Sequence, residues 1–478
     1  MADGPVVPLK PRNGGRGKGL YFRTNVQKRQ EPQGLTMSLP TLPNSVQKLQ
    51  MALQAKAKAE TSYRFYSLWD KVYRLDVLGQ AYRHCRRNGG APGLDRVTFS
   101  QIESQGLEVW LAKLQEELRN KTYRSLPLLR IWIPKSNGGQ RPLGIPTIRD
   151  RVVQTAVLMV IGPIFEADLC REQYGFRLGM SAKKAIQRAY YHVTERGLSE
   201  IADADMSDYF NTIPHGALMR CLSRRIADGH MLSVIKQWLR VPVVERTEDG
   251  ERRTTEAADK NRGVPQGGPL SPMLANLYFR RFILAWKRFG HEVRLQARVV
   301  NYADDLVICC RPGNGREAME VFRSLMRRLG LTVNERKSRL VKMPEESFDF
   351  LGYTIGRFYG MHGRSYIGIK PSKKAIRQLM LRIHEETSRR WDWQLPQERV
   401  PKINTILRGW CGYFNHGHVK PTYQRLRRYT ERRLSRWLMR REQRHGTGYK
   451  RYPRTYLYKT LGLYSLPNRR PAVPNAKT

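Results

Sequence analysis

Asp304 and Asp305 stand side by side in Val-Val-Asn-Tyr-Ala-Asp-Asp-Leu-Val-Ile, residues 299–308. Two short apolar runs around a tight polar turn read as a β-hairpin. Adjacent carboxylates at its tip repel each other unless a cation lies between them. Mg²⁺, a hard ion that takes a few carboxylates together with substrate phosphates, suits that place. Most Asp-Asp pairs in turns are simply solvated. Tyr302, two residues before, and the segments around it set this pair apart.

A two-ion centre that bridges attacking and leaving oxygens needs a further carboxylate from another strand. Ile201-Ala-Asp-Ala-Asp-Met206 alternates as a strand with Asp203 and Asp205 on one face. Phe210 follows Asp205 at the spacing of a recurring polymerase arrangement, in which the Asp binds metal and the ring excludes a sugar 2′-hydroxyl. Taken singly, Asp203 reads as a surface strand residue and Phe210 as core. Lys135 and Arg141 flank a Gly-Gly turn, where a basic hairpin clamps a triphosphate. In the loop 263–272, Gln266 is placed to contact nucleotide or template, and Gly267 and Gly268 permit close approach. Lys337 suits the leaving pyrophosphate, and the Phe350-Leu-Gly-Tyr353 turn suits the primer end. An exposed lysine and an ordinary hairpin are the plain alternatives for these last two.

These segments need a scaffold, and the chain is large enough to supply one. It has 478 residues, 40% of them hydrophobic, and a net charge of +45 from 86 Lys and Arg against 41 Asp and Glu. Such an excess is self-repelling without a polyanion. Nucleic acid leads as that partner, and an anionic membrane surface comes second. No run approaches the roughly 18 apolar residues of a membrane span, and the first 20 residues lack the apolar stretch of a secretory signal. The six cysteines form no C-x-x-C pair, so they read as reduced thiols of a cytoplasmic protein. Residues 361–478 hold 28 Lys and Arg against 6 Asp and Glu, a net of +22. Aromatic residues are interleaved among them, as suits phosphate contact with stacking.

Residues 1–40, rich in Gly, Pro, Lys and Arg, read as a flexible basic arm. Helices are expected over 45–60, 62–90, 100–120 and 148–163, and strands over 128–134 and 141–146. Helices and short strands then alternate irregularly to about 356, which points to an α+β fold. From 371 three amphipathic stripes predict an all-helical region: one capped by Ser372, one ending at Gly417, and one from Tyr423 to Trp437. Residues 446–478 read as a loosely packed basic tail.

The ordered set Arg141-Pro-Leu-Gly-Ile-Pro146, Gln173-Tyr-Gly-Phe-Arg177, Asp203-Ala-Asp205, Pro265-Gln-Gly267, Tyr302-Ala-Asp-Asp305, Phe350-Leu-Gly352 and Leu407-Arg-Gly-Trp410 resembles the bacterial group II intron reverse transcriptase and maturase family over roughly residues 60–465. The resemblance implies a right-hand polymerase, with fingers and palm over 61–360 and a helical thumb/maturase domain over 361–445. A basic flexible extension (1–60) precedes them and a basic tail (446–478) follows. It implies an RNA-directed DNA polymerase that uses two Mg²⁺ ions, copies RNA into DNA and assists intron splicing. Asp205, Asp304 and Asp305 would be catalytic metal ligands, with Met206 in the metal set and Lys337 near the pyrophosphate. Lys135, Arg141, Phe210 and Gln266 would bind nucleotide. Arg177, Gly267 and Gly352 would line template and primer, and Arg408, Trp410, Arg425 and Arg428 would bind intron RNA. The implied partners are intron RNA, RNA template, DNA primer, dNTPs and target DNA, with no membrane. The protein would be a monomer or dimer, cytoplasmic and nucleoid-associated on its target.

Asn211 and the Phe176-Arg-Leu-Gly-Met-Ser181 segment depart from the family's usual Phe-Asp and Phe-Arg-Pro-Gly-Arg-Ser but spare the three carboxylates. No Cys and His cluster of an appended endonuclease is expected, so mobility would rely on nicked or replicating DNA. Two other readings are a non-catalytic splicing maturase and a domesticated reverse transcriptase of repair or defence. An RNA-dependent RNA polymerase is opposed by Tyr302-Ala303 and by bulky Phe210.

Overall fold

A computed structural model describes residues 44–134, 139–248, 250–359 and 363–467. The arm at 1–40, Lys135 and residues 468–478 lie outside the described residues. Helices α1 (Ser45–Ala59) and α2 (Leu75–Asn88) pack on α3 (Ile148–Asp168). Apolar residues surround α3 on every side, so it is buried all round: Val152, Val153, Ala156, Val157, Val160 and Ile161 are fully enclosed. Thr147 fixes its start, accepting the Asp150 amide at 3.1 Å and donating to the Asp150 carboxylate at 2.9 Å.

The helix expected over 45–60 forms as Ser45–Ala59, closed by a reciprocal Asn44–Gln47 capping box, so the 1–60 extension ends in ordered structure. Arg225, only 3% exposed, donates to the carbonyls of Ala57, Glu60, Thr61 and Tyr63 at the end of α1. It also pairs with Asp168 at 3.2 Å. A buried cation thus satisfies the orphan carbonyls of a helix C-terminus.

The strands run in chain order as β1 (Leu128–Pro134), β2 (Gln140–Ile145), β3 (Glu200–Asp205), β4 (Val243–Thr247), β5 (Gly250–Thr254), β6 (Ala297–Tyr302), β7 (Asp305–Cys310), β8 (Arg339–Lys342), β9 (Phe348–Phe350), β10 (Tyr353–Tyr359) and β11 (Ser365–Pro371). They form three sheets, ordered β2-β1-β4-β5, β6-β7-β3-β8 and β11-β10-β9. Only β1 and β4 pair in parallel among the described strands. The result is the α+β class expected from the irregular alternation.

The central sheet β6-β7-β3-β8 is packed on both faces. Ala202, Ala204, Leu306 and Ile308 face the core around α3. Ile201, Val307, Cys309 and Val341 face a second core that includes α4 (Ala182–Thr194) and the β9–β11 sheet. Side chains alternate with period two. Asp203 and Asp205 therefore share the face of Ile201, and Asp305 shares that of Val307. The carboxylates sit where this second face runs out.

Two more helices, α5 (Tyr209–Thr212) and α6 (Ser271–Arg288), lie beside the central sheet. Beyond it, α7 (Lys373–Glu386), α8 (Pro396–Tyr413) and α9 (Lys420–Arg441) share a core that includes Leu379, Ile383, Ile403, Leu407, Leu434 and Trp437. The tail is better packed than its composition suggests: Tyr452, Leu457, Leu463 and Leu466 are buried. Glu431 on α9 accepts from Arg454 at 2.9 Å and from the Tyr458 hydroxyl at 3.0 Å. Asn404 on α8 accepts the Tyr464 amide at 2.7 Å and donates to the Gly462 carbonyl at 2.8 Å. Residues up to 466 thus belong to the helical core. No helix among the described residues is long and apolar enough to cross a membrane.

Candidate active site

Tyr302, Asp305 and Asp205 lie in one row across β6, β7 and β3. Tyr302 pairs with Asp305, and Asp305 pairs with Asp205. The β6–β7 turn consists of Ala303 and Asp304, with Ala303 at φ +58°, the sign that tight hairpin turns require. Buried Asn301 braces it, donating from Nδ2 to the carbonyls of Ala303 (2.9 Å) and Asp305 (3.3 Å). The segment 173–175 presses on the turn from behind. The Tyr174 amide donates to the Asn301 carbonyl at 2.8 Å. A Cβ on Gly175 would lie 2.5 Å from the Ala303 nitrogen, so only glycine fits. Asn276 of α6 donates to the Gly175 carbonyl at 2.7 Å, and its own carbonyl accepts from Gln173 at 2.8 Å.

Directly opposed carboxylates destabilise a strand pair, so this row needs positive charge. Lys337 places Nζ 3.3 Å from Asp205, and Arg339 stands 3.4 Å from Asp203. Burial, opposed by Arg339, pushes the Asp203 pKa up to about 6. Arg141 donates from Nε to the Gln266 side chain at 2.7 Å. Burial draws its pKa down, against the pull of Asp304 and Asp208. Among the described residues, no three acidic, His or Cys side chains are gathered closely enough to hold an ion as they stand. The donor set still fits a hard divalent cation: two opposed carboxylates, a third next in the chain, and an ammonium standing as their counter-charge. Met206 buries its side chain, so only its backbone is available to the site.

The 263–268 loop runs beside this row. The Val264 amide donates to the Phe210 carbonyl at 2.7 Å, and the Gly144 amide to the Gln266 carbonyl at 2.8 Å. Phe210 on α5 is 8% exposed and meets Tyr209 edge-on at 5.7 Å. Gly267, expected against template, has a different reason to be glycine. At φ +125° its Cβ would lie 2.4 Å from the Gly144 carbonyl oxygen, so the close approach is to β2. Gly352, at φ +81°, turns β9 into β10. Its carbonyl accepts the Ser372 amide at 2.9 Å. Tyr353 donates to the Tyr413 carbonyl and Tyr413 to the Leu351 carbonyl, both at 2.7 Å, so this turn is tied to α8.

Two residues expected to contact nucleic acid are engaged within the protein. Arg177, placed along the template, has a side chain only 7% exposed and pairs with Glu166 at 2.7 Å. It also donates to the carbonyls of Cys170 and Gln173. Its fork is consumed inside the protein. Trp410, placed on RNA, packs 4.5 Å from Phe414 and joins three apolar clusters. Arg408, Arg425 and Arg428 are exposed. Arg432 and Arg436 are exposed too and were missed, although the 425, 428, 432, 436 spacing is that of one helix face. Glu431, the one acid in α9, is buried against Arg454, so that face is wholly basic.

Residues 133–355 match the reverse transcriptase (RNA-dependent DNA polymerase) family, and residues 376–456 match the group II intron, maturase-specific domain. Protein YkfC of Escherichia coli is 35% identical over 242 residues, 50% of this chain and 61% of that protein. A putative COX1/OXI3 intron 1 protein of Saccharomyces cerevisiae is 24% identical over 433 residues, 74% of this chain and 50% of that protein. The group II intron-encoded protein LtrA of Lactococcus lactis is 29% identical over 236 residues, 48% of this chain and 37% of that protein. The chain thus spans roughly two fifths to three fifths of the length of these relatives.

Proposed function

Because the chain belongs to the group II intron reverse transcriptase and maturase family, we propose that it is an RNA-directed DNA polymerase that also binds intron RNA. The observation that carries this reading is the Asp305–Asp205 cross-strand pair, with Asp304 beside it and Tyr302 in the same row. Under this reading the central sheet is the palm, β1, β2, β4 and β5 belong to the fingers, and α7–α9 are the thumb. Asp205, Asp304 and Asp305 would hold two Mg²⁺ ions, whose chemistry is to neutralise charge on the attacking and leaving oxygens.

The chain's own residues do the rest. Arg141, steadied by Gln266, orients the triphosphate. Phe210 occupies the space of a ribose 2′-hydroxyl. Lys337, exchanged from Asp205 onto substrate, offsets the charge of the departing pyrophosphate. Exposed Arg408, Arg425 and Arg428 would meet intron RNA while RNA template, DNA primer and dNTPs occupy the palm. Target DNA is a further proposed partner.

The wholly basic face of α9 favours one second reading, a splicing maturase whose RNA binding does not need nucleotide chemistry. Primer extension on an RNA template with dNTPs and Mg²⁺ separates the two. The polymerase reading expects extension by the wild type and none by Asp304→Ala. Undiminished extension by that variant would sink it.

A further inference from the structure

Phe176 is held at φ +55°. In that left-handed region Cβ crowds the following carbonyl, and bulky residues seldom enter it. The conformation is imposed from both sides. Before it, Gly175 is jammed against Ala303 and fastened by Asn276. After it, Arg177 is locked onto Glu166 and the Gln173 carbonyl. Core packing does not explain the strain, because the ring joins none of the four apolar clusters of the described residues. It is partly exposed and lies 6.4 Å from Tyr302, the planes 34° apart. Phe176 thus extends the site's row outward as Phe176, Tyr302, Asp305, Asp205. Strain kept by an over-determined surround at the edge of a reactive centre points to contact with a ligand.

The chemistry of the row says which part of the ligand. Its inner end is ionic and, under the polymerase reading, serves the reacting phosphates through bound cations. Its outer end offers ring faces, which suit the faces of bases whatever their sequence. We infer that Phe176, with Tyr302, forms an aromatic floor under the end of the template–primer duplex, at the base pair next to the carboxylates. This rests on the polymerase reading and adds to it a duplex contact. It also accounts for the arginine that follows: Arg177 anchors the turn that presents Phe176.

Phe176→Gly is a discriminating variant, because glycine removes the ring and adopts φ +55° without strain. If the ring only packed, its loss would lower Tm and leave duplex affinity alone. The inference predicts an equal or higher Tm. It also predicts that Kd and KM for a recessed RNA–DNA template–primer rise about tenfold, the loss falling on KM and not kcat. Phe176→Tyr should restore both constants to within about twofold of wild type, since its ring stacks alike. Wild-type Kd and KM in Phe176→Gly, or a Phe176→Tyr as impaired as Phe176→Gly, would overturn it. Kd from fluorescence anisotropy needs no catalysis. A wild type that binds duplex without extending it would therefore sink the polymerase reading, while the Kd comparison still decides the floor.

Discussion

Asp205 and Asp305 face each other directly across β3 and β7. Two like charges at paired positions weaken the sheet by roughly 0.2–1 kcal/mol, and a bound cation reverses that. Asp305→Asn should therefore raise Tm slightly in metal-free buffer and abolish extension. Added Mg²⁺ should raise the wild-type Tm and leave the variant's unchanged. Thermal unfolding with and without Mg²⁺ checks both signs.

Arg177 and Glu166 form a buried pair. Removing one partner strands the other, at a cost of about 3 kcal/mol or more. Arg177→Ala should lose that much stability in urea unfolding and, by freeing the turn that presents Phe176, weaken duplex affinity of the folded fraction by no more than the roughly tenfold of Phe176→Gly. Full stability with a selective loss of template affinity would return Arg177 to the template.

Arg225 ties α1 to the body of the protein. In Arg225→Ala the carbonyls at the end of α1 and the Asp168 carboxylate lose their shared donor, at a cost of about 3 kcal/mol. Limited proteolysis should then cut first within 45–64. Hydrogen exchange should speed up in α1 before it does in α3.

The α9 arginines 425, 428, 432 and 436 span about 16 Å at 1.5 Å per residue. Converting all four to Gln should weaken RNA binding and make the log–log salt dependence shallower by about 3, given roughly 0.7 per phosphate neutralised on a single strand. An unchanged slope measured by filter binding would move the RNA surface elsewhere.

His192 is buried on α4, and burial first, then nearby arginines, lowers its pKa to about 4. The unfolded chain therefore binds this proton between about 6.5 and 4 while the folded protein does not. Stability is complete above about pH 6.5 and should fall as pH drops through that window. His192→Gln should flatten the fall in a Tm-versus-pH series.

Much of this was readable in the residues, and the misses share a cause. Period-two alternation put Asp203 and Asp205 on one face, and the apolar runs gave the hairpin of Asp304 and Asp305. Their direct register joins strands a hundred residues apart and is set by which faces are buried, which no local pattern carries. Arg177 showed its charge but not Glu166, which supplies its partner from the end of α3. Trp410 sits among basic residues like a stacking aromatic, and only the folded structure shows it partly buried against Phe414 and Tyr423. The helix over 45–59 was legible in its apolar spacing, and Asn44 and Gln47 add a cap signature that marks its start. Phe176 stands inside a legible motif, but its left-handed backbone is imposed by Ala303, Asn276 and Glu166, which lie elsewhere in the sequence.

Single-turnover incorporation of one dNTP on an RNA template, titrated with Mg²⁺, tests the central claim most directly. The account predicts incorporation by the wild type that rises with Mg²⁺ and is lost in Asp205→Asn, Asp304→Asn and Asp305→Asn, each still folded and still binding RNA. No incorporation by the wild type at any Mg²⁺ concentration, or undiminished incorporation by any one of the three variants, would contradict it.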